Sequence, residues 1–248
     1  MARPPAPPHE PRLARVGAMV GDPARSRMLA YLLNGHFASA GELAEAASVS
    51  ASTASGHLAQ LLANGLLACE QRGRHRYFRL ADAEVAHALE ALALLAERGP
   101  HDKAWSAPAR QRLRYARRCY GHLAGTLGVA LYDTLLANAC LHSGPQGLHL
   151  TPQGQAWLAR IGCTPRPARA GARFAYPCLD WSERRDHLAG SLATDLLEHF
   201  VAQGWLAPDA VHRGLALTPR GRQQLLPELS PLCPAAGGSI NAAVPPQA

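Results

Sequence analysis

The chain has 248 residues, 48% of them hydrophobic and 17% charged, and its 25 Lys and Arg residues against 18 Asp and Glu residues give a net charge of +7. This composition excludes a chain that is disordered throughout and suits one large or two modest globular domains. We expect a soluble, cytoplasmic protein with no membrane partner, because no run approaches about eighteen apolar residues and the N-terminus opens on a Pro-rich run instead of an apolar signal core. The six cysteines form no CxxC pair and predict reduced thiols.

Helix signals dominate the first part of the chain. Asp22-Pro23 predicts the start of a short helix, with an acidic N-cap and proline at the first helical position. Ser39 to Glu42 is a capping box that opens a second helix. A third helix closes at Asn64-Gly65, and its apolar stripe consists of Ala54, Leu58, Leu61 and Leu62.

The pattern then changes from helix to strand. Residues 66–70 and 75–80 predict a β-hairpin around a loop with Gly73 at its tip. Asp82 caps a last helix that runs to about residue 98, and its apolar stripe is Val85, Ala88, Leu89, Leu92 and Leu95. This order of helices and hairpin is that of a winged helix-turn-helix.

The second part of the chain contains an internal repeat. The segment that begins at His122 recurs from His187, 65 residues later, and the segment Leu148 to Gly154 recurs 67 residues later. The residue pattern of each repeat predicts a long helix, a loop, a short Leu-x-Leu strand and a helix capped by Thr-Pro. The predicted fold class is mainly α with small β-hairpins: an N-terminal winged helix-turn-helix plus a C-terminal α-rich domain of two pseudo-repeats.

These patterns set the predicted domain limits. The helical pattern stops at the breaker Gly99-Pro100, and both ends of the chain lack the apolar content needed to bury a face. The predicted segments are a disordered stretch 1–12, the winged helix-turn-helix 13–99, an effector domain 100–230 with repeats at about 115–163 and 178–229, and a disordered tail 231–248.

A small, polar helix face beside a basic loop indicates DNA recognition. Hydroxyls and an amide on the third helix suit entry into the major groove, and the arginine-rich wing suits phosphate or minor-groove contacts. Free amides at the start of the second helix suit a phosphate. Each feature alone is more typical of a solvated surface or a protected strand edge, but their combination favours DNA binding. The candidate DNA-binding residues are Ser39, Ser50, Ser52, Thr53, Ser55, Gly56, His57, Gln60, Arg72, Arg74, His75, Arg76 and Tyr77.

Five motifs between about residues 15 and 98 occur together in one known family. They are Asp22-Pro23-Ala24-Arg25, Glu42-Leu43-Ala44, Val49 to Leu58, Asn64-Gly65-Leu66 and the wing from Gly73 to Leu80. Through these motifs the segment resembles the ArsR family of bacterial transcriptional repressors. The resemblance implies a dimeric winged helix in which the helix 52–64 reads the major groove and terminal helices pair across the dimer. The implied partners are double-stranded operator DNA and a second copy of the chain.

Two metal sites known in this family have no counterpart in the sequence. Metal-sensing members carry Cys-x-Cys on the helix before the recognition helix, whereas Ala44 to Val49 contains no cysteine. Members of the zinc-sensing type carry an Asp and two spaced histidines on the C-terminal helix, whereas only Asp82, Glu84 and His87 occur in the corresponding turns. No cofactor is expected, and an effector has to bind elsewhere.

The second domain is the candidate effector domain, because a repressor needs a second site whose ligand favours one of two conformations. We expect a small-molecule effector in a pocket between the repeats. Soft-metal or redox sensing through Cys119, His122, Cys178 and His187 is the alternative, with Cys-x-x-His read as helical spacing. Both hypotheses compete with the simpler interpretation that these cysteines and histidines are ordinary buried core residues. The candidate effector residues are Cys119, His122, Cys178, Asp180, Trp181 and His187.

The sequence as a whole predicts an effector-responsive, homodimeric repressor that releases its operator when a ligand binds the C-terminal domain. An enzyme is not expected, because the chain has no Gly-rich phosphate loop and no G-x-S-x-G motif. A winged helix used only for protein contact is the other alternative. Residues 1–100 carry a net charge of only +1 and the rest carry +6; the basic run Arg110 to Arg118 predicts either a DNA-backbone contact or a solvated helix face.

Overall fold

The computed structural model describes residues 11–73, 75–96, 108–144, 147–167, 173–209 and 213–229. The chain divides into two compact units, Met1–Val85 and Ala86–Ala248. Across the part of the chain that is described, no helix has both the length and the apolar character needed to cross a bilayer. The predicted boundary at Gly99-Pro100 lies outside the described residues.

Capped helices build the first unit. Their bounds are α1 (Pro11–Gly21), α2 (Pro23–Leu32), α3 (Ala40–Ala47) and α4 (Ala51–Ala63). The predicted caps are confirmed: Asp22 accepts the Arg25 backbone N–H, and Ser39 and Glu42 form a complete capping box. The predicted stripe of α4 packs into the core through Ala54, Leu58 and Leu61, which leaves the opposite face of α4 to solvent.

The wing follows α4 as predicted. Strands β2 (Leu67–Arg72) and β3 (His75–Leu80) pair in an antiparallel hairpin, and the short strand β1 (Ala38–Ser39) adds to the other edge of β3. The two residues of β1 are too few to leave a strand pattern in the sequence. The wing is thereby attached to the start of α3.

Helix α5 (Ala83–Ala96) follows the wing, and the division between the units falls within it. Its buried residues are Ala86 and Glu90. The apolar stripe predicted for this helix is partly exposed in the single chain, where Leu92 and Leu95 are 42% and 53% exposed. The buried side of α5 carries Glu90 instead, which forms an ion pair with Arg213.

Helices and two-stranded antiparallel hairpins alternate in the second unit. After α6 (Pro108–Tyr115), the order hairpin, helix, hairpin, helix occurs twice. The first run is β4 (Arg117–Cys119), β5 (His122–Ala124), α7 (Thr126–Ala137), β6 (Leu141–Gly144), β7 (Gly147–Leu150) and α8 (Pro152–Ile161). The second run is β8 (Tyr176–Leu179), β9 (Asp186–Ala189), α9 (Ser191–Ala202), β10 (Leu206–Pro208), β11 (Leu215–Leu217) and α10 (Pro219–Gln224), ending in a 3-10 turn at Pro227–Leu229.

The predicted Thr-Pro helix starts are confirmed at α8 and α10. Thr151 and Thr218 each accept a hydrogen bond from the backbone N–H of the glycine three residues later. A Cβ on Gly154 would lie 2.2 Å from the Cys140 carbonyl oxygen, and one on Gly221 would lie 2.0 Å from that of Trp205. Close packing of helix against the preceding turn therefore explains why the motif ends in glycine.

The predicted starting position of the long helix in each repeat is wrong, although both helices are present as α7 and α9. The segments that begin at His122 and His187 are strands, β5 and β9, and the helices begin only at Thr126 and Ser191. Cys119 and His122 are consequently a cross-strand pair and not neighbours on a helix. The second unit is thus a mixture of helices and short two-stranded hairpins.

Candidate DNA-binding surface and a buried cysteine-histidine cluster

The polar face of α4 is exposed at its N-terminal half. Ser52, Ser55 and Gly56 are all exposed to solvent. Ser50 caps the helix, because its hydroxyl accepts the backbone N–H of Thr53 at 3.2 Å. The first turns of α4 thus present small hydroxyl groups, which is the chemistry expected of a helix that reads DNA.

The second half of this face is held by Arg25, a residue that sequence reasoning did not assign to the site. Its Nη1 donates to Gln60 Oε1 at 2.7 Å and lies 3.3 Å from His57 Nδ1. The same guanidinium donates to the carbonyl groups of Ala18 and Met19 at the end of α1. His57 and Gln60 are therefore fixed by α2 and have less freedom to reach bases.

The wing presents exposed arginine and histidine. Arg72 is paired with Glu70 at 2.9 Å and lies over the Phe37 ring, 4.6 Å from its centroid. Arg76 is exposed and places its Nε 3.3 Å from Cys69 Sγ. His75 is also exposed and Tyr77 is half-buried, while Arg74 lies outside the described residues. Arg76 and His75 are thus described wing residues with exposed side chains.

Ser39 is occupied by its own capping box. Its backbone N–H and its hydroxyl both donate to Glu42 Oε2 at 2.7 Å. These bonds hold the pKa of the Glu42 carboxyl below its usual value. A carboxylate therefore sits at the start of α3, where the sequence predicts a phosphate contact, and this makes Ser39 the weakest of the candidate DNA-binding residues.

Two hairpins of the second unit bring four potential metal ligands together. Cys119 faces His122 across β4 and β5, and Cys178 faces His187 across β8 and β9. One ligand atom from each residue lies within 4.8 Å of all the others. The four side chains are buried, with exposed fractions of 1%, 3%, 7% and 0%. We call these four residues the Cys-His cluster.

Asp180 contacts the Cys-His cluster through His187. Its Oδ2 lies 3.4 Å from His187 Nδ1, and the other imidazole nitrogen of His187, Nε2, lies 3.2 Å from His122 Nδ1. Arg117 Nη2 donates to Asp180 Oδ1 at 2.9 Å, and the Gly125 backbone N–H donates to Oδ2 at 2.6 Å. The carboxylate is thus fixed by two strong donors and keeps His187 oriented toward the cluster.

The cluster is electrostatically prepared to hold a thiolate and a neutral imidazole. A hydrogen bond from Cys119, reinforced by His187 and His87, lowers the pKa of Cys178 to about 2 against the opposing effect of burial. The same bond raises the pKa of Cys119. Burial and the neighbouring His187 lower the pKa of His122 to about 3. Burial works against the ionised Asp180, yet Arg117 and His187 outweigh it and keep its pKa well below the usual value.

Arg117 of the basic run contacts Asp180, and Trp181 packs against Arg117 outside the Cys-His cluster. The Arg117 guanidinium lies over the Trp181 ring, 4.3 Å from its centroid, and Trp181 is 5% exposed. The prediction that the basic run lies on one helix is wrong, because α6 ends at Tyr115 and Arg117 begins β4. Arg117 and Arg118 are 0% and 9% exposed, so neither is part of a solvated face. The buried carboxylates of Asp180 and Glu90, which leave no local pattern in the sequence, explain the burial of Arg117.

A cleft leads to the cluster at Cys178. It has a volume of about 220 Å³, which is below the 300–1,000 Å³ of typical organic-ligand pockets. His87 on α5 forms part of its wall, and its interaction with Cys178 raises the pKa of His87. The remaining lining residues are Glu90, Ala91, Leu94, Arg173, Tyr176, Pro177 and Leu179.

Comparison with known proteins assigns the family. A family model described as a helix-turn-helix domain matches residues 20–70. The uncharacterized HTH-type transcriptional regulator YdfF of Bacillus subtilis is 35% identical over 213 residues, which cover 86% of this chain and 94% of that protein. The chain belongs to the ArsR family of HTH-type transcriptional regulators. As an ArsR-family regulator it binds DNA through its winged helix-turn-helix, and its relatives are regulators and not enzymes.

Shorter likenesses to this ArsR-family regulator occur in mycobacteria. The HTH-type transcriptional regulator CmtR of Mycobacterium tuberculosis is 39% identical over 80 residues, which are 32% of this chain and 67% of that protein. The solved structure of CmtR, a cadmium metal-sensor, is 37% identical and covers 32% of this chain and 81% of that chain, with a TM-score of 0.28. The homodimeric DNA-binding domain of Mb0332 from Mycobacterium bovis is 27% identical and covers 37% and 87%, with a TM-score of 0.33.

Proposed function

We propose that the protein is a homodimeric, sequence-specific repressor that releases its operator when an effector binds its C-terminal unit. The exposed polar face at the start of α4 carries this proposal, together with the basic wing on the same unit. A stripe of apolar residues buries the other face of α4, so the polar face is the one free to enter a major groove. A protein that acts on operator DNA works in the cytoplasm, which is the location we propose.

Exposed apolar residues on α1 and α5 support a homodimer. Leu13 and Val16 on α1 are 79% and 39% exposed, and Leu92 and Leu95 on α5 remain exposed in the single chain. Large apolar side chains that face solvent in this way are typical of protein contact surfaces. We infer that a second copy covers them, as expected from the resemblance to dimeric ArsR-type proteins.

The C-terminal unit supports the effector half of the proposal. We infer that its two runs of hairpin, helix, hairpin and helix are copies of one duplicated unit, since the sequence repeat and the order of elements coincide. Each copy contributes one cysteine and one histidine to the Cys-His cluster. A site assembled from both copies responds to any change in their arrangement, which is the property that an effector site requires.

DNA binding and its location on α4 can be tested with one pair of variants. Gly56 is exposed, and a Cβ added there would meet no atom within 4 Å, so Gly56→Glu places a negative charge on the α4 face without a clash. Gln155→Glu adds the same charge on the exposed surface of α8. Gel shift and footprinting on the DNA upstream of the chain's own gene should show operator binding by the parent and by Gln155→Glu.

Gly56→Glu should lose at least about tenfold in operator affinity, because a carboxylate at the groove faces phosphates. Circular dichroism should show unchanged folding, since glutamate favours a helix more than glycine does. A parent chain without any sequence preference at low salt would instead favour the winged helix as a protein-contact module. Equal binding by the two variants would contradict the α4 assignment.

A further inference from the structure

We propose that Cys119, His122, Cys178 and His187 form a tetrahedral site for one Zn²⁺ ion, and that this ion is the effector of the regulator. The metal site does not depend on the proposed repressor function. The effector role of the ion does rest on that function. The site differs in place and in ligands from the two family sites whose residues the sequence lacks.

The geometry of the imidazoles matches a shared metal. Two nitrogens bound to one tetrahedral Zn²⁺ at about 2.0–2.1 Å lie roughly 3.3 Å apart, and His187 Nε2 lies 3.2 Å from His122 Nδ1. The two sulfurs fall within the same 4.8 Å cluster as these nitrogens. Two thiolates and two imidazoles in a tetrahedral arrangement are a ligand set that favours zinc over harder ions.

The ligand charges and their surroundings suit a buried divalent ion. Metal binding needs neutral histidine and deprotonated cysteine. Two thiolates would neutralise a divalent ion, so the loaded site carries no net charge into the buried interior. The nearby carboxylate of Asp180 is already matched by Arg117, and that of Glu90 by Arg213.

The contact between Asp180 and His187 favours a metal over a bare hydrogen-bonded cluster. Metal-bound histidines almost always have a carboxylate, carbonyl or water at their second nitrogen, which fixes the ring orientation. Asp180 occupies that position at His187 Nδ1. A disulfide between Cys119 and Cys178 is the competing chemistry, but it would give no role to two aligned imidazoles and a carboxylate.

The ion has a route to the site. Cys178 lines the cleft of about 220 Å³, and its side chain is the most exposed of the four ligands, at 7%. The cleft is large enough for a hydrated ion but small for an organic effector. We therefore place metal entry at Cys178, beside His87.

The binding test uses the full chain, reduced and stripped of metal, with Zn²⁺ in competition with a chromophoric chelator and with Co²⁺ as a spectroscopic probe. We expect one ion per chain and a Co²⁺ complex with strong tetrahedral visible bands and sulfur-to-cobalt charge transfer. Cys178→Ser should weaken Zn²⁺ binding more than about 100-fold, beyond the effect of losing a residue that only orients a ligand. The matched control is His142→Gln/His149→Gln, which removes a second facing histidine pair on β6 and β7.

Several results would overturn the site. They are a weak six-coordinate Co²⁺ spectrum without charge transfer, unchanged binding in Cys178→Ser, or loss of binding in the control. The spectrum of the parent chain decides the question even if Cys178→Ser fails to fold. No DNA is present, so a failure of the proposed function leaves this result unaffected.

The effector test adds operator DNA. One equivalent of Zn²⁺ should lower operator affinity by about 5–150-fold, the usual range of allosteric coupling, in the parent but not in Cys178→Ser. Tight Zn²⁺ binding with unchanged operator affinity would overturn the effector role. If hydrogen peroxide changed the operator affinity with loss of two thiols while Zn²⁺ had no effect, the effector role of the metal would be wrong. A Cys119–Cys178 disulfide would then be the switch.

Discussion

The carboxylate of Asp180 lies 3.4 Å from Nδ1 of His187, and both side chains are completely buried. The same carboxylate accepts hydrogen bonds from Arg117 and from the backbone of Gly125. The imidazole is therefore turned so that its other nitrogen faces His122. This relationship links a buried ion pair to the proposed metal site and leads to the first prediction.

Asp180→Asn should weaken Zn²⁺ binding by about 10–100-fold while leaving one ion per chain, because asparagine keeps the shape but not the charge that orients His187. Competition with a chromophoric chelator measures the change. Asp133→Asn is the control, since Asp133 pairs with Arg185 on the surface of the same unit. Equal Zn²⁺ affinities for the parent and Asp180→Asn would show that Asp180 serves only the ion pair.

His87→Gln should retain one Zn²⁺ per chain but respond less to it in operator binding. His87 lines the same cleft as Cys178 and lies on α5, the helix in which the chain passes from one unit to the other. The ratio of operator affinities with and without Zn²⁺ is the measurement, and we expect it to fall at least about threefold relative to the parent. His142→Gln should keep the parent ratio. If His87→Gln showed the same ratio of operator affinities as the parent chain, α5 would not transmit the effect of Zn²⁺ to the DNA-binding unit.

Ser55→Ala should cost on the order of 1 kcal/mol of operator binding and relax the preference at particular base pairs. Ser55 is exposed at the centre of the polar face of α4. Binding to a set of operators with single base changes measures this, with Ser143→Ala on β6 as the control. If every operator lost the same affinity, Ser55 would be contacting the backbone and not a base.

Arg76→Ala should weaken binding to all sequences alike and reduce the slope of log affinity against log salt by about one. Arg76 is exposed on the wing, and a phosphate contact releases a counterion whatever the base sequence. Arg220→Ala on α10 removes one exposed arginine from the other unit and should leave the slope unchanged. A sequence-dependent loss in Arg76→Ala would instead indicate minor-groove reading.

Ser39→Ala should lower the stability of the protein by about 1 kcal/mol at neutral pH, and the difference should shrink in acid. Ser39 holds the pKa of Glu42 below its usual value. A carboxyl with a lowered folded-state pKa contributes stability above its unfolded pKa, about 4.3, and loses it as the pH falls through the folded value. Urea midpoints of the parent and variant across this range test it; a difference independent of pH would contradict a role for the Glu42 charge.

The first unit follows from its sequence because local chemistry determines its elements. The caps at Asp22 and Ser39, the stripe of α4 and the hairpin around Gly73 are each encoded within a few residues. Arg25 is the exception, because its partners Gln60 and His57 lie more than thirty residues away. The candidate DNA-binding residues remain predictions, although the structure exposes those at the start of α4.

The second unit is harder to predict because its hairpins are short. Tyr120 and Gly121 both have positive φ, at 48° and 103°, and form the two-residue turn that converts Cys-x-x-His from helical neighbours into a cross-strand pair. The repeat and the four ligands are visible in the sequence, but their convergence is not, since it depends on pairing residues about 65 positions apart. Burial of Arg117 depends in the same way on distant carboxylates.

Fluorescence anisotropy of labelled operator DNA, bound by the metal-free chain and titrated with Zn²⁺, tests the effector role of the Cys-His cluster most directly. We predict release of the DNA at one equivalent of Zn²⁺ per chain, recovery when a strong chelator is added, and no release for Cys178→Ser under the same conditions. Persistent binding of the parent chain at saturating Zn²⁺, or equal release of the parent and Cys178→Ser, would contradict that role.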